Sequence, residues 1–192
     1  MFSTNAPPIT VGVSDSNGAL GQLLGQQYIY RSGTASTNAQ PATSLRVFKL
    51  VKNNSGTTLA AGAAVIEQRT LGVPNGNVTT TTTANNPDFA GVVPHEFGTA
   101  TVASGDYFLL QVGGPARPQF ALTTTLNTLS SMLGTATTAG YLQPLIGTAT
   151  GTAAATLQDV QAYIESGAGI ATNTAAVTAA GQLGYADLRL RL

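Results

Sequence analysis

Residues 79 to 83 are five consecutive threonines, directly after Val78. Branching at Cβ leaves each of these side chains stiff at χ1, which suits a pleated strand better than a helix, so the run favours extended backbone. The same grammar recurs along the chain. Leu45-Arg46-Val47-Phe48-Lys49-Leu50-Val51-Lys52 is an apolar run broken by charge, and the turn-forming Asn53-Asn54-Ser55-Gly56 follows it. Ala63 to Gln68 reads as the next strand, closed by Pro74-Asn75-Gly76-Asn77 as a turn. Phe89 to Val93, Thr99 to Val102 and Tyr107 to Val112 continue the set, with Ser104-Gly105-Asp106 as a tight turn before the last.

The C-terminal third has the same texture. Gly134, Gly140, Gly147, Gly151, Gly167, Gly169, Gly181 and Gly184 are spaced as turns are in small all-β domains. Val160, Ala162 and Ile164 alternate with polar neighbours, predicting a strand over 160–165. Leu188-Arg189-Leu190-Arg191-Leu192 alternates strictly, a pattern suited to pairing in a sheet. Leu122, Leu126, Leu129, Met132 and Leu133 have helical spacing up to Gly134, but the interleaved threonines disfavour a helix. No repeat of fixed period is visible, which argues against a solenoid. These readings predict an all-β fold, a small β-barrel or β-sandwich over residues 45–192.

Residues 1–44 differ. Pro7, Pro8, Gly12, Asn17, Gly18, Gly33 and Pro41 separate short apolar patches, and Leu20, Leu23, Leu24 and Tyr28 have helical spacing with Asn17 as a potential cap. Gly21 and Gly25 weaken such a helix. The region reads as a partly extended N-terminal arm that orders by lying on something else. Its anchors at an interface would be Phe2, Ile9, Val11, Leu20, Leu23, Tyr28 and Tyr30. The alternative is that it supplies the first strand or two of the same domain.

Charge bounds the function. Only 8% of residues are charged, against roughly 25% in an ordinary soluble protein. Eight acidic and eight basic residues cancel, so there is no net field to gather nucleic acid or an anionic membrane. Cys is absent, which removes disulfides and thiolate metal sites. The first positive charge is Arg31, so a secretory leader is not expected, and no apolar run approaches the ~20 residues of a membrane-spanning helix.

Groups for chemistry are sparse. His95, the single histidine, precedes Glu96, with Asp88 and Asp106 in the same region. A metal or acid–base site there is conceivable in composition, but a loop histidine after Pro94 is the simpler reading. No G-x-S-x-G occurs, and Gly167-Ala168-Gly169 lacks the third glycine of a dinucleotide fingerprint, position 172 being Thr. Arg46, Lys49 and Lys52 read as a solvated strand edge that guards against stray pairing. The six tyrosines are scattered along the sequence, which favours packing over a sugar platform. No catalytic residue, cofactor or metal is expected.

The run AGVVPHEFGTATVASGDYFLLQVGG, residues 90–114, resembles the small β-rich capsid decoration (cement) proteins of tailed phages. Ala103 to Tyr107 and Gln111 to Gly114 match one part of that family's pattern. Thr138-Ala139-Gly140-Tyr141-Leu142 matches a second, and the apolar–basic close at 188–192 a third. The similarity spans roughly residues 45–192, and its motifs are turns and strands. The N-terminal arm and the Thr79–Thr83 run depart from it. The resemblance implies a non-enzymatic virion protein on the outer capsid surface, a homotrimer that cements neighbouring major capsid subunits. Alternatives are a tail-tube, head-fibre or minor shell component, or a secreted bacterial adhesin or surface-layer module.

Overall fold

A computed structural model describes residues 2–3, 13–15, 18–31, 45–95, 101–121, 132–145, 165–172, 177 and 179–189. The fold is all-β, and its heart is a closed five-stranded barrel. The barrel strands are β3 (Leu45–Asn53), β4 (Ala64–Thr70), β5 (Val73–Thr79), β6 (Phe89–Val92) and β7 (Tyr107–Ala116). They run in the order β3-β5-β4-β6-β7, and a further β3–β7 pairing closes the ring. β3 and β5 are parallel, and the other pairs are antiparallel.

Alternation along the strands sorts side chains between the two faces of the wall. Val51, Val65, Val78, Phe108, Leu110 and Val112 fill the barrel together with Leu59 and Val102. Phe48, Leu50 and Leu109 lie on the opposite face of β3 and β7. Register shifts at Val47/Phe48, Val65/Ile66 and Glu67/Arg69 are bulges that bend the strands enough to close a ring this small. At the β6–β7 seam a side chain on Gly91 would collide with the Gln111 carbonyl. Only glycine lets these backbones approach so closely.

Two flanking layers cover the wall. On one side the C-terminal strands β8 (Met132–Thr135), β9 (Leu142–Pro144), β10 (Gly169–Ala171) and β11 (Ala186–Leu188) extend the sheet in the order β7-β11-β10-β8-β9. Their Leu133, Leu142, Ala171, Ala186 and Leu188 share a core with Ala64, Phe89 and Val92 of the barrel. On the other side lie β1 (Phe2–Ser3) and β2 (Gln27–Arg31), with a 3-10 helix over Leu20–Leu23.

Several expectations meet the structure differently. The threonine run is strand only at Thr79. Beyond it the hydroxyls capture backbone: Thr81 Oγ1 accepts from the Thr83 N–H at 3.0 Å, and Thr135 Oγ1 donates to the Thr83 carbonyl at 2.9 Å. Threonine side chains compete with a ladder in this way. Pro74-Asn75-Gly76-Asn77 lies inside β5, and the reversal comes earlier, at Leu71-Gly72. Asn75 Oδ1 accepts from the Asn77 N–H at 3.0 Å, a local turn-like bond held within a strand. The apolar spacing at 20–28 yields a short 3-10 helix whose Leu20 and Gly21 N–H groups donate to the Asp15 carboxylate at 2.8 and 3.1 Å. Asn17 lies outside the described residues, as do 122–131 and 160–164. Glu165 is helical and not strand, and Met132 and Leu133 are strand. The terminal alternation enters the sheet through Leu188 of β11, while 190–192 lie outside the described residues.

Candidate functional site

Of the predicted arm anchors, Leu23, Tyr28 and Tyr30 pack, with Tyr107, against Phe48, Leu50 and Leu109 of the barrel wall. β2 pairs antiparallel with β3 over five residues, from Gln27↔Lys49 to Arg31↔Leu45. The Gly25 N–H donates to the Leu50 carbonyl, and the Leu50 N–H to the Gln26 carbonyl, both at 2.9 Å. Leu24 sits against Gly76, where an added Cβ would crowd it, so this segment seals the narrow seam between β3 and β5. Leu20 is half-buried in the 3-10 helix. Phe2 pairs in parallel with Ile29 along β1. Ile9 and Val11 lie outside the described residues. The described part of the N-terminal region therefore lies on this chain's own sheet, where Tyr28 and Tyr30 meet Tyr107, distant from them in sequence.

The basic trio does not form a solvated edge. A spacing of three on a strand sends Lys49 to one face and Arg46 and Lys52 to the other. β3 is bonded on both sides, by β2 and β5 on one and β7 on the other. Arg46 is buried, Lys52 Nζ lies 5.4 Å from the Tyr107 ring centroid, and Lys49 Nζ reaches Glu67 at 2.8 Å. The acidic groups have local tasks too: Asp15 caps the 3-10 helix, Glu67 holds Lys49, and Asp88 holds Arg69 Nε at 2.7 Å. Among the described residues no three His, Asp or Glu side chains converge as metal ligands would.

The strand directions collect exposed apolar residues at one end of the barrel. β3 and β5 are parallel, so both start at the same end, and the β4–β5 turn lies there as well. β2 runs antiparallel to β3 and finishes beside its start. Leu71 and Val73 on the hairpin, Leu45 at the start of β3 and Ile29 on β2 are thus at this one end, 100%, 64%, 54% and 38% exposed.

The hairpin tip is rigidly built. Thr70 pairs with Val73 across a two-residue loop, and Leu71 and Gly72 have φ of 51° and 81°. Positive φ at both central positions is the type I′ arrangement, whose twist matches the strands but which favours Asn-Gly. Leucine there suffers contact between Cβ and the following carbonyl. Arg69 braces the loop: Nε binds Asp88, and Nη1 donates to the Gly72 carbonyl at 3.0 Å. Asn75 Nδ2 adds a bond to Thr70 Oγ1 at 2.9 Å. The tip lies ahead of the turn expected at Pro74-Asn75-Gly76-Asn77; its signal in the sequence is a leucine directly before a glycine, with an arginine two residues earlier. Neither protein-family models nor the curated proteins provide a match to this chain.

Proposed function

We propose that this chain is a non-enzymatic virion protein that decorates the outer surface of a phage capsid as a trimer and cements neighbouring major capsid subunits. The observation that bears most on this reading is how the few ionic groups are used. Lys49, Glu67, Arg69 and Asp88 pair with one another around a closed barrel, and Asp15 is bound to backbone. A chain built this way offers a stable, nearly neutral surface, and such surfaces associate readily.

The segments that resemble decoration proteins support the reading further. Ser104-Gly105-Asp106 turns into β7, with the Asp106 N–H bonded to the Ala103 carbonyl and the Gly105 N–H to Asn53. Thr138 to Leu142 forms the turn into β9, where the Gly140 carbonyl accepts from the Ala64 N–H of the barrel at 2.7 Å. The first motif thus ties β7 to the end of β3 within the barrel, and the second joins the barrel to the flanking layer. A protein binding only the assembled shell stabilises it by mass action, and contacts to several subunits at once multiply the effect.

The test is to mix purified full-length protein with empty shells made of the major capsid subunit. Saturable binding on the outer surface, seen by electron microscopy, with a raised shell disruption temperature is the expected result. Recovery of the protein solely in tails or fibres, with bare shells unchanged, would overturn the reading.

A further inference from the structure

We infer that the β4–β5 hairpin end of the barrel, led by Leu71, is the face that seats in an apolar pocket of the shell subunit; this rests on the decoration reading above. Leu71 violates two local preferences together. It is wholly exposed and occupies a left-handed backbone position that asparagine or glycine would take more easily. Strain of this kind is tolerated where the surroundings hold it, and here Arg69 ties the loop to both Asp88 and the Gly72 carbonyl. The result is a preorganised convex apolar knob, the form of anchor that loses little freedom on binding.

Three observations select the occupant. Residues 32–44, between β2 and β3 in the sequence, contain no Val, Leu, Ile, Met or aromatic residue with which to cover the knob. The hairpin's two charged residues, Glu67 and Arg69, are bound to Lys49 and Asp88, so it presents no net charge to attract nucleic acid or an anionic membrane. Leu71, Val73, Leu45 and Ile29 together expose on the order of 400 Å², half of what each partner buries in a stable pair of free proteins. A contact of that size holds only when several tips engage one array together. Two convex tips also cannot fill each other, which disfavours a second copy meeting this end head-on.

The experiment titrates empty shells of the major capsid subunit with full-length protein, wild type and three variants. Leu71→Asn keeps a residue suited to the turn while removing the knob, Val73→Thr keeps the branched strand residue, and Ile170→Thr alters an exposed apolar residue on β10 as control. The expected result is at least tenfold weaker binding for Leu71→Asn, weaker binding for Val73→Thr, no change for Ile170→Thr, and no loss of thermal stability for Leu71→Asn. Shell binding by Leu71→Asn equal to wild type overturns the inference while leaving the decoration reading intact. A change in the mass of the free oligomer on Leu71→Asn substitution makes the tip a contact between copies and overturns it too. So does cosedimentation of wild type with phosphatidylcholine–phosphatidylglycerol vesicles that Leu71→Asn abolishes. Failure of wild type itself to bind shells removes the decoration reading and the inference with it.

Discussion

Lys49 Nζ lies 2.8 Å from both carboxylate oxygens of Glu67, although β3 and β4 are not neighbours in the sheet. Lys49 pairs across from Leu110 and Glu67 across from Val78, both barrel-filling residues, so the ion pair belongs to the inner face of the wall. β5 joins β3 only at Lys52↔Asn77 and Asn53↔Val78. The pair spans the part of the wall where that ladder is missing. Its side chains are 20% and 16% exposed, so water screens it only in part. Glu67→Ala is expected to lower stability by about 1–3 kcal/mol, because it strands a largely buried ammonium. The double variant Lys49→Met with Glu67→Leu should recover most of that. Urea unfolding of the four members of the cycle measures it; a double variant as weak as Glu67→Ala would show that the loss is not one of an unpaired charge.

Leu71→Asn should make the isolated protein more stable by about 1 kcal/mol, since asparagine relieves the left-handed strain at no packing cost. For a chain of this size that is a rise of roughly 2–4 °C in melting temperature. Calorimetry reads the shift, and a fall in its place would mean that Leu71 makes a stabilising contact within the molecule.

Asn53 is completely buried and fully used. Its amide donates to the Thr57 and Val102 carbonyls at 2.9 and 3.0 Å and accepts from the N–H and hydroxyl of Ser55. Asn53→Ala removes four hydrogen bonds from a buried position, at about 2–4 kcal/mol. The denaturation midpoint should fall with the m-value unchanged; a shift under about 0.5 kcal/mol would show that water replaces the amide.

Removal of residues 1–31 strips β1, β2 and the 3-10 helix from Phe48, Leu50 and Leu109. The truncated chain should bind a hydrophobic dye such as ANS and unfold at lower temperature, because burying each such side chain is worth about 1.5–3 kcal/mol. An unchanged melting curve would show that the barrel stands without this cover.

Gly91→Ala places a methyl against the Gln111 carbonyl at the β6–β7 seam, where Val92↔Gln111 is the pairing between the two strands. The expected loss is about 3 kcal/mol or more, read as a large fall in soluble yield or melting temperature.

Strand identity was legible in the sequence because it depends on neighbours two residues apart. Leu45 to Lys52, Phe89 to Val93 and Tyr107 to Val112 needed only alternation and flanking turns to be read, and all but Val93 lie in barrel strands. Where side chains bond to their own backbone, alternation misleads: Thr81 and Thr83 leave the strand, and Asn75 makes a turn-like bond without turning the chain. The exposed tip at Leu71 was invisible for a related reason. Its position follows from the pairing of Thr70 with Val73, a register that Leu71-Gly72 alone does not announce.

The amino-acid order by itself determined that this chain is extended, poor in charge and punctuated by glycine, because those properties belong to single residues and close neighbours. Tertiary structure decided that β3 pairs with β5 and β7 to close a barrel, that Tyr28, Tyr30 and Tyr107 meet over Phe48, and that Lys49 and Arg46 part to opposite faces. Those outcomes depend on which distant strands share hydrogen bonds, a choice made by the burial of whole faces at once.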